Sequence, residues 1–331
     1  MNRSPIFRLA PLPLLIALGA WATTTNVEAQ TGAIPAAVSC SAGQSDELGL
    51  RCIEAALASE ALLVGFGRMV ASGGAFPVSP STAGWRVDGV PRLTFDAGAG
   101  FAGVRHPGLR DRESAGRAPS ERTFLRAARL TVAAGIFDGF TAAPTVGGVA
   151  SVDGVVTLRA VSPAWDSEFS GTTWSVGAGG RLGLFRESFS LPGVTLTGIH
   201  HWMGSVRYAR SEEDRGTVSL EPRLTSLRLE AGKDMLALGM TGGVAWDRMR
   251  SRTRFSAVAP DGESGSSGAF DLRESRTSFF LGANYTWLVS QLAGEVAWTP
   301  ASGGSSELQG PGLFRPGNSH LTMSLGWRIT Y

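Results

Sequence analysis

The chain has 331 residues, with 44 glycines, 43% hydrophobic and 18% charged side chains, and a mean hydropathy of +0.05. That apolar content excludes an intrinsically disordered chain, and a net charge of +2 excludes a large nucleic-acid footprint. Two cysteines are too few for a disulfide scaffold or a zinc cluster.

The N-terminus reads as an export leader. Arg3 and Arg8 precede an apolar run from Leu9 to Trp21, and Val27-Glu28-Ala29-Gln30 offers slim side chains to a leader peptidase. Residues 1–29 are therefore expected to be a signal peptide cleaved after Ala29. The run contains Pro11 and Pro13 and is too short to span a bilayer as a helix, and no later stretch of about 18 apolar residues follows.

Residues 30–90 form a linker and a helical, plug-like segment. Gln30 to Cys40 is rich in small residues. From Ser45 to Ser72, Leu48, Cys52, Ala55, Ala56, Ser59, Leu62, Leu63, Phe66 and Val70 recur at helical spacing. Ser45 is a candidate N-cap ahead of Asp46 and Glu47, and Gly73-Gly74 ends the pattern. Gly49, Gly65 and Gly67 weaken a continuous helix, so one or two short helices are expected. In an exported protein Cys40 and Cys52 read as a disulfide in preference to free thiols, a link worth about 3 kcal/mol by loop entropy.

After Pro91 the period becomes two. In the last segment Leu321, Met323, Leu325, Trp327, Ile329 and Tyr331 alternate with Thr322, Ser324, Gly326, Arg328 and Thr330. One face of a lipid-facing barrel strand meets hydrocarbon and the other a polar lumen, which imposes this alternation. Strands are expected at 92–104, 124–137, 151–161, 173–186, 193–210, 215–231, 234–257, 270–288, 291–299 and 319–331, with a bulge near Ser226. With the C-terminus periplasmic, the outer loops run His106–Glu121, Ser162–Gly171, Ser211–Asp214, Ala259–Ala269 and Pro300–Asn318. The inner turns are Asp138–Ala150, Glu187–Pro192, Gly232-Lys233 and Val289-Ser290, so the long connections fall mostly on one side. The expected fold is all-β: a transmembrane, antiparallel, up-and-down β-barrel of about 10 strands, between 8 and 14, over residues 91–331.

Asp96, Arg129, Arg159, Arg181, Arg207, Glu221, Arg223, Asp247, Glu295 and Arg328 all fall on the polar parity. They are expected to face the lumen, as an ion-pair network filling a narrow barrel in preference to a selectivity lining. Trp202, Tyr208, Trp246, Tyr285, Trp287, Trp298, Trp327 and Tyr331 fall on the apolar parity and read as interfacial girdles. His200 and His201 are adjacent on a strand, face opposite ways and cannot share one metal. His201 reads as filler, because no G-x-S-x-G elbow, H-E-x-x-H or paired-acid cluster accompanies it.

The leader, the repeated dyad strands and the ending Trp327-Arg328-Ile329-Thr330-Tyr331 together resemble bacterial outer-membrane β-barrel proteins. The resemblance implies that Leu325, Trp327, Ile329 and Tyr331 form a C-terminal assembly signal read by the barrel-assembly machinery, and that the partners are the outer-membrane bilayer and that machinery. A fainter resemblance, in the hatch-like segment before the first strand, is to FadL-like hydrophobic-substrate channels. The expected function is a passive conduit for small or hydrophobic solutes carrying an N-terminal plug. A structural or adhesive barrel is the alternative. An outer-membrane enzyme ranks last: no catalytic residue, metal site, cofactor or nucleic-acid partner is expected.

Overall fold

The computed structural model describes residues 33–331 except 86–88, 111–115, 142–147, 164–168, 170, 189–190, 210–213, 260–264 and 302–318. The expected leader and its cleavage point after Ala29 lie outside the described residues. Two helices, α1 (Ala33–Ser41) and α2 (Asp46–Ala71), precede the strands. The strands are β1 (Leu93–Pro107), β2 (Ser120–Phe137), β3 (Ser151–Pro163), β4 (Thr173–Phe185), β5 (Gly193–Met203), β6 (Val206–Tyr208), β7 (Gly216–Met235), β8 (Leu238–Val258), β9 (Gly265–Trp287), β10 (Ser290–Thr299) and β11 (His320–Thr330).

Every neighbour in the sheet is antiparallel and sequential. The sheet closes where β1 meets β11, with Thr94 opposite Thr330 and Ala102 opposite Thr322. β5 and β6 both pair with β7, so they are two parts of one barrel strand and the barrel has 10 strands. Closure leaves no open edge, which is what a sheet in lipid requires.

The connections at 236–237 and 288–289 are minimal, and those at 138–150 and 186–192 lie on the same side. The first of these differs from the expected Gly232-Lys233 turn. Gly232 is inside the ladder opposite Thr241, and the chain reverses at Leu236, which takes a positive φ of 60°. The outward apolar row of β8 starts at Leu238, and that row sets the register.

One feature of the wall was hidden in the alternation. In the lower part of β8, Leu238, Met240, Val244 and Trp246 point outward. Beyond Trp246 the same outward parity carries Arg248, Arg250, Arg252 and Arg254, while Met249, Phe255 and Ala257 point into the barrel. From Leu238 to Trp246 is about 27 Å along a strand, or about 21 Å along the normal at a 40° tilt, close to the roughly 25 Å height of an outer-membrane apolar band. The longer strands therefore project past the hydrocarbon, and there the apolar face turns from lipid to the interior.

That inversion explains two corrections. Val218, Leu220 and Leu224 of β7 are buried inside, and Glu221 and Arg223 are exposed on the outer wall, not in the lumen. The β7–β8 ladder runs from Gly216 opposite Ala257 to Met235 opposite Leu238 without a shift, so no bulge occurs at Ser226. Arg207 is also exposed outside, for a different reason. Between Trp202 opposite Arg223 and Val206 opposite Leu220 the register slips by one residue at Gly204-Ser205. The slip turns Val206 and Tyr208 inward and Arg207 outward. Tyr208 is thus fully buried and leaves the girdle, whereas Trp202, Trp246, Tyr285, Trp287, Trp298, Trp327 and Tyr331 are exposed on the outer wall.

α2 is one continuous helix of 26 residues, not one or two short ones. Its glycines are contact points. A Cβ on Gly65 would overlap Val104, and one on Gly67 would overlap Met249. Gly65→Ala should therefore lower stability by about 1–3 kcal/mol, with Val104→Ala in the same chain restoring part of it. Urea unfolding followed by tryptophan emission reads the difference; equal stability of Gly65→Ala and the parent would mean that the helix does not press on the wall there.

Candidate functional site: the occupied lumen

The site is the lumen and what fills it. Ser45 caps α2, its hydroxyl accepting from the Leu48 N–H, and Asp46 and Glu47 sit in the first turn. α1 packs on α2 and is joined to it by the Cys40–Cys52 disulfide. The start of α2 lies at the end of the barrel where the strands carry their long connections. There Arg51 donates to the Val258 carbonyl, Glu54 accepts from the Ala118 N–H, and Arg215 lies 3.5 Å from the Glu54 carboxylate.

Further down, the helix is wrapped in apolar wall. Leu62, Leu63, Phe66, Met69 and Val70 share one buried cluster with Val104, Leu125, Val161, Leu220, Leu224, Met249 and Leu272. Phe66 lies 5.9 Å from Phe169, which lies 4.8 Å from Tyr208; His106 meets Tyr208 edge-on at 4.8 Å. An isolated helix with this much apolar surface would not stay in water, so the barrel wall is its cover.

Below Ala71 the chemistry changes. The helix ends with its carbonyls, the negative end of its dipole, facing two lumenal arginines. Arg129 and Arg159 both donate to the Ser72 carbonyl, at 3.3 and 2.8 Å, and Arg159 also donates to the Gly74 carbonyl. The chain then descends as a strap. Arg328 donates to the Pro77 carbonyl at 2.6 Å, Arg181 to the Ser81 carbonyl at 2.9 Å, and the Thr195 hydroxyl to the Pro80 carbonyl. The Ser79 N–H donates to Glu230, and the Ala83 and Gly84 N–H groups donate to Asp153.

Three of these arginines meet acids of the wall. Arg129 meets Asp96 at 2.8 Å, Arg181 meets Asp153 at 3.6 Å, and Arg328 lies 3.9 Å from Asp96. Arg228 reaches both Glu295 and Glu230 and stacks 3.3 Å over the Phe280 ring. At the foot of the barrel, on the side of the minimal turns, Asp138 pairs with Arg186 at 2.7 Å and accepts from the Trp85 N–H. The Arg186 hydrogen bond holds the Asp138 carboxyl below its ordinary range.

Of the expected lumenal charges, Asp96, Arg129, Arg159, Arg181, Asp247, Glu295 and Arg328 are buried on the inner face. Asp153 joins them on the inner face, and sequence reasoning missed Arg228 and Glu230. The signal was present: Leu227 and Leu229 sit on the outward parity of lower β7, which puts Arg228 and Glu230 inside. His201 is buried against Gly177, and His200, on the opposite face, meets the Thr225 hydroxyl at 2.9 Å. Among the described residues no group of three His, Cys, Asp or Glu side chains is arranged to hold a metal.

Two small cavities lie along this path among the described residues. A cavity beside Arg68, Arg228 and Asp247 measures about 20 Å³, and one beside Arg159 and His201 about 10 Å³. Each has room for about one water molecule, not for a solute.

No protein-family model and no curated protein matches the chain. Among solved structures it is similar to the translocator domain of the autotransporter NalP from Neisseria meningitidis, with 11% identity, a TM-score of 0.44, and coverage of 73% of this chain and 88% of that one. It is also similar to the outer membrane protease OmpT from Escherichia coli, with 12% identity, a TM-score of 0.37, and coverage of 76% and 100%. The Pseudomonas putida toluene transporter TodX is similar at 11% identity and a TM-score of 0.29, covering 73% and 89%. These likenesses extend to the kind of fold and no further. A closed sheet, apolar on its outer wall and charged within, meets what a bilayer demands of strands that cross it, and the chain is an outer-membrane β-barrel protein.

Proposed function

We propose that this barrel is closed at rest and serves to hold its N-terminal helical hairpin at the cell surface. The observation that carries this reading is the direction of α2. Its first turn lies among the long connections near Ala118, Arg215 and Val258, and its last turn points down toward the minimal turns at 236–237 and 288–289. Outer-membrane barrels carry long loops outside and short turns in the periplasm, so the α1–α2 hairpin faces outward. The Cys40–Cys52 link keeps that hairpin together, and the arginines on the strap anchor its lower end.

Solute conduction, the first function expected from the sequence, requires α2 to leave its apolar seat. The hairpin reading requires it to stay. An epitope inserted after Gly43, in the exposed turn between the helices, tests the orientation. Antibody should label intact cells. Labelling only after the outer membrane is permeabilised would overturn the reading.

A further inference from the structure

α2 is not apolar all round. Glu60, Val64 and Arg68 follow one another at four-residue spacing and share one face of the helix. α2 packs on β9, where Glu60 stands in the field of Glu274 and Arg276. Arg68, two turns further down, stands in that of Arg276 and Asp247. Glu60 is 3% exposed, and Arg68 and Arg276 are buried with it. The height is above the hydrocarbon. Trp246, the last apolar outward residue of β8, is opposite Thr277, and Glu274 lies three residues farther out, about 10 Å along the strand.

This seam between helix and wall is short of matched partners. Glu274 already has Arg276 at 3.1 Å. Arg68 Nε and Nη1 and Arg276 Nε are buried without a hydrogen-bond partner. Glu60 makes no hydrogen bond or ion pair among the described residues. Nor do the other elements packed on α2 bring it a counter-charge. α1 and the inner faces of β7 and β8 carry no titratable group at this height. β1 and β2 bring His106 and Glu121, opposite one another in the ladder, with the imidazole turned to Thr123 and Tyr208. His320 on β11 is turned to the Gly103 carbonyl, and Arg129 and Arg159 hold the far end of the helix at Ser72.

A carboxylate at Glu60 is therefore costly twice over: burial strips its water, and Glu274 repels it more than Arg276 compensates. The two effects push the Glu60 carboxyl up to about 7, from an ordinary value of 4.5 that it would regain on leaving the seat. The seated helix thus holds a proton that the released helix gives up. Seating is at full strength below the ordinary value, weakens as pH rises past it, and weakens no further above about 7.

We propose that Glu60, set against Glu274, makes the seating of α2 proton-dependent, firm when the carboxyl is protonated and looser when it is ionised. The device rests on the reading of α2 as the plug of a barrel closed at rest. Acid surroundings hold the plug down, and neutral or alkaline ones leave it ready to move.

The test measures amide hydrogen exchange along residues 57–70 of the full-length protein in detergent from pH 5 to pH 8. Glu60→Gln, the uncharged isostere, is run beside it, so that the pH dependence of the exchange chemistry cancels in the ratio of rates. The parent-to-variant ratio should rise at least tenfold between pH 5 and pH 8. Glu60→Met, a second uncharged replacement, should give the same rise. Glu274→Gln, which removes the repelling neighbour and keeps Glu60, should flatten it. Unboiled gel migration checks that each barrel is folded. A constant ratio with the helix protected at every pH would overturn the proposal and leave the plug in place. Rapid exchange at every pH in parent and variants alike would mean that α2 is not seated, and would overturn the plug and the proposal together.

Discussion

Deleting residues 33–71, both helices, should yield a pore with stable single-channel steps in a planar bilayer, where the full-length chain should show none. The strands need nothing from the helices for their backbone hydrogen bonds, which run entirely between neighbours around the closed sheet. The helix, in contrast, fills the upper lumen: Leu62, Leu63, Phe66 and Met69 occupy the space between Val104, Leu125, Leu220 and Met249. The truncated barrel should migrate as a folded species when unboiled but melt earlier, because its inner apolar wall has lost its cover. Cys40→Ser should have a smaller effect, since it frees α1 from α2 and leaves α2 seated; by loop entropy the link contributes about 3 kcal/mol. A folded, truncated barrel that still does not conduct would mean that the arginine–carboxylate network closes the lumen without the helix.

The second large effect is expected at Arg228. Its guanidinium is buried between Glu295 and Glu230 and over the Phe280 ring. Glu295→Ala should cost about 3–5 kcal/mol, because it strands a buried cation with one partner where it had two. Replacing both members, Arg228→Met with Glu295→Leu, should cost clearly less than the sum of the two single changes, since neither charge is then left alone in the lumen. Denaturant unfolding of the reconstituted protein checks this. Additive losses would show that the two side chains do not act as a pair.

The arginine clamp on the strap was only half visible beforehand. Arg129, Arg159, Arg181 and Arg328 could be assigned to the lumen from parity alone, because on short strands with lipid outside an inward charge has one place to go. That their targets are backbone carbonyls at Ser72, Gly74, Pro77 and Ser81 could not be read, since Ser72 to Gly84 shows no periodicity and owes its path to the wall around it. Arg207 and Arg223 were misplaced for related reasons. Parity is a local property; which parity faces lipid depends on how high the strand rises and on slips such as Gly204-Ser205.

By itself the sequence determined the barrel class, a strand count of about 10 with approximate bounds, the helical character of the α2 region and the cysteine pairing. These rest on short-range physics: a two-residue side-chain period, a helical apolar stripe with its cap, and two thiols close in the chain. Only the tertiary structure decided that α2 is unbroken, that it runs from the long-loop mouth inward, and that the apolar parity of β7 and β8 faces lipid below Trp246 and the helix above it. A leucine pattern carries no label for what will cover it. Hydrocarbon and a neighbouring helix satisfy the same apolar face, and the choice between them was made by the closed geometry of the wall and the height of each residue above the membrane.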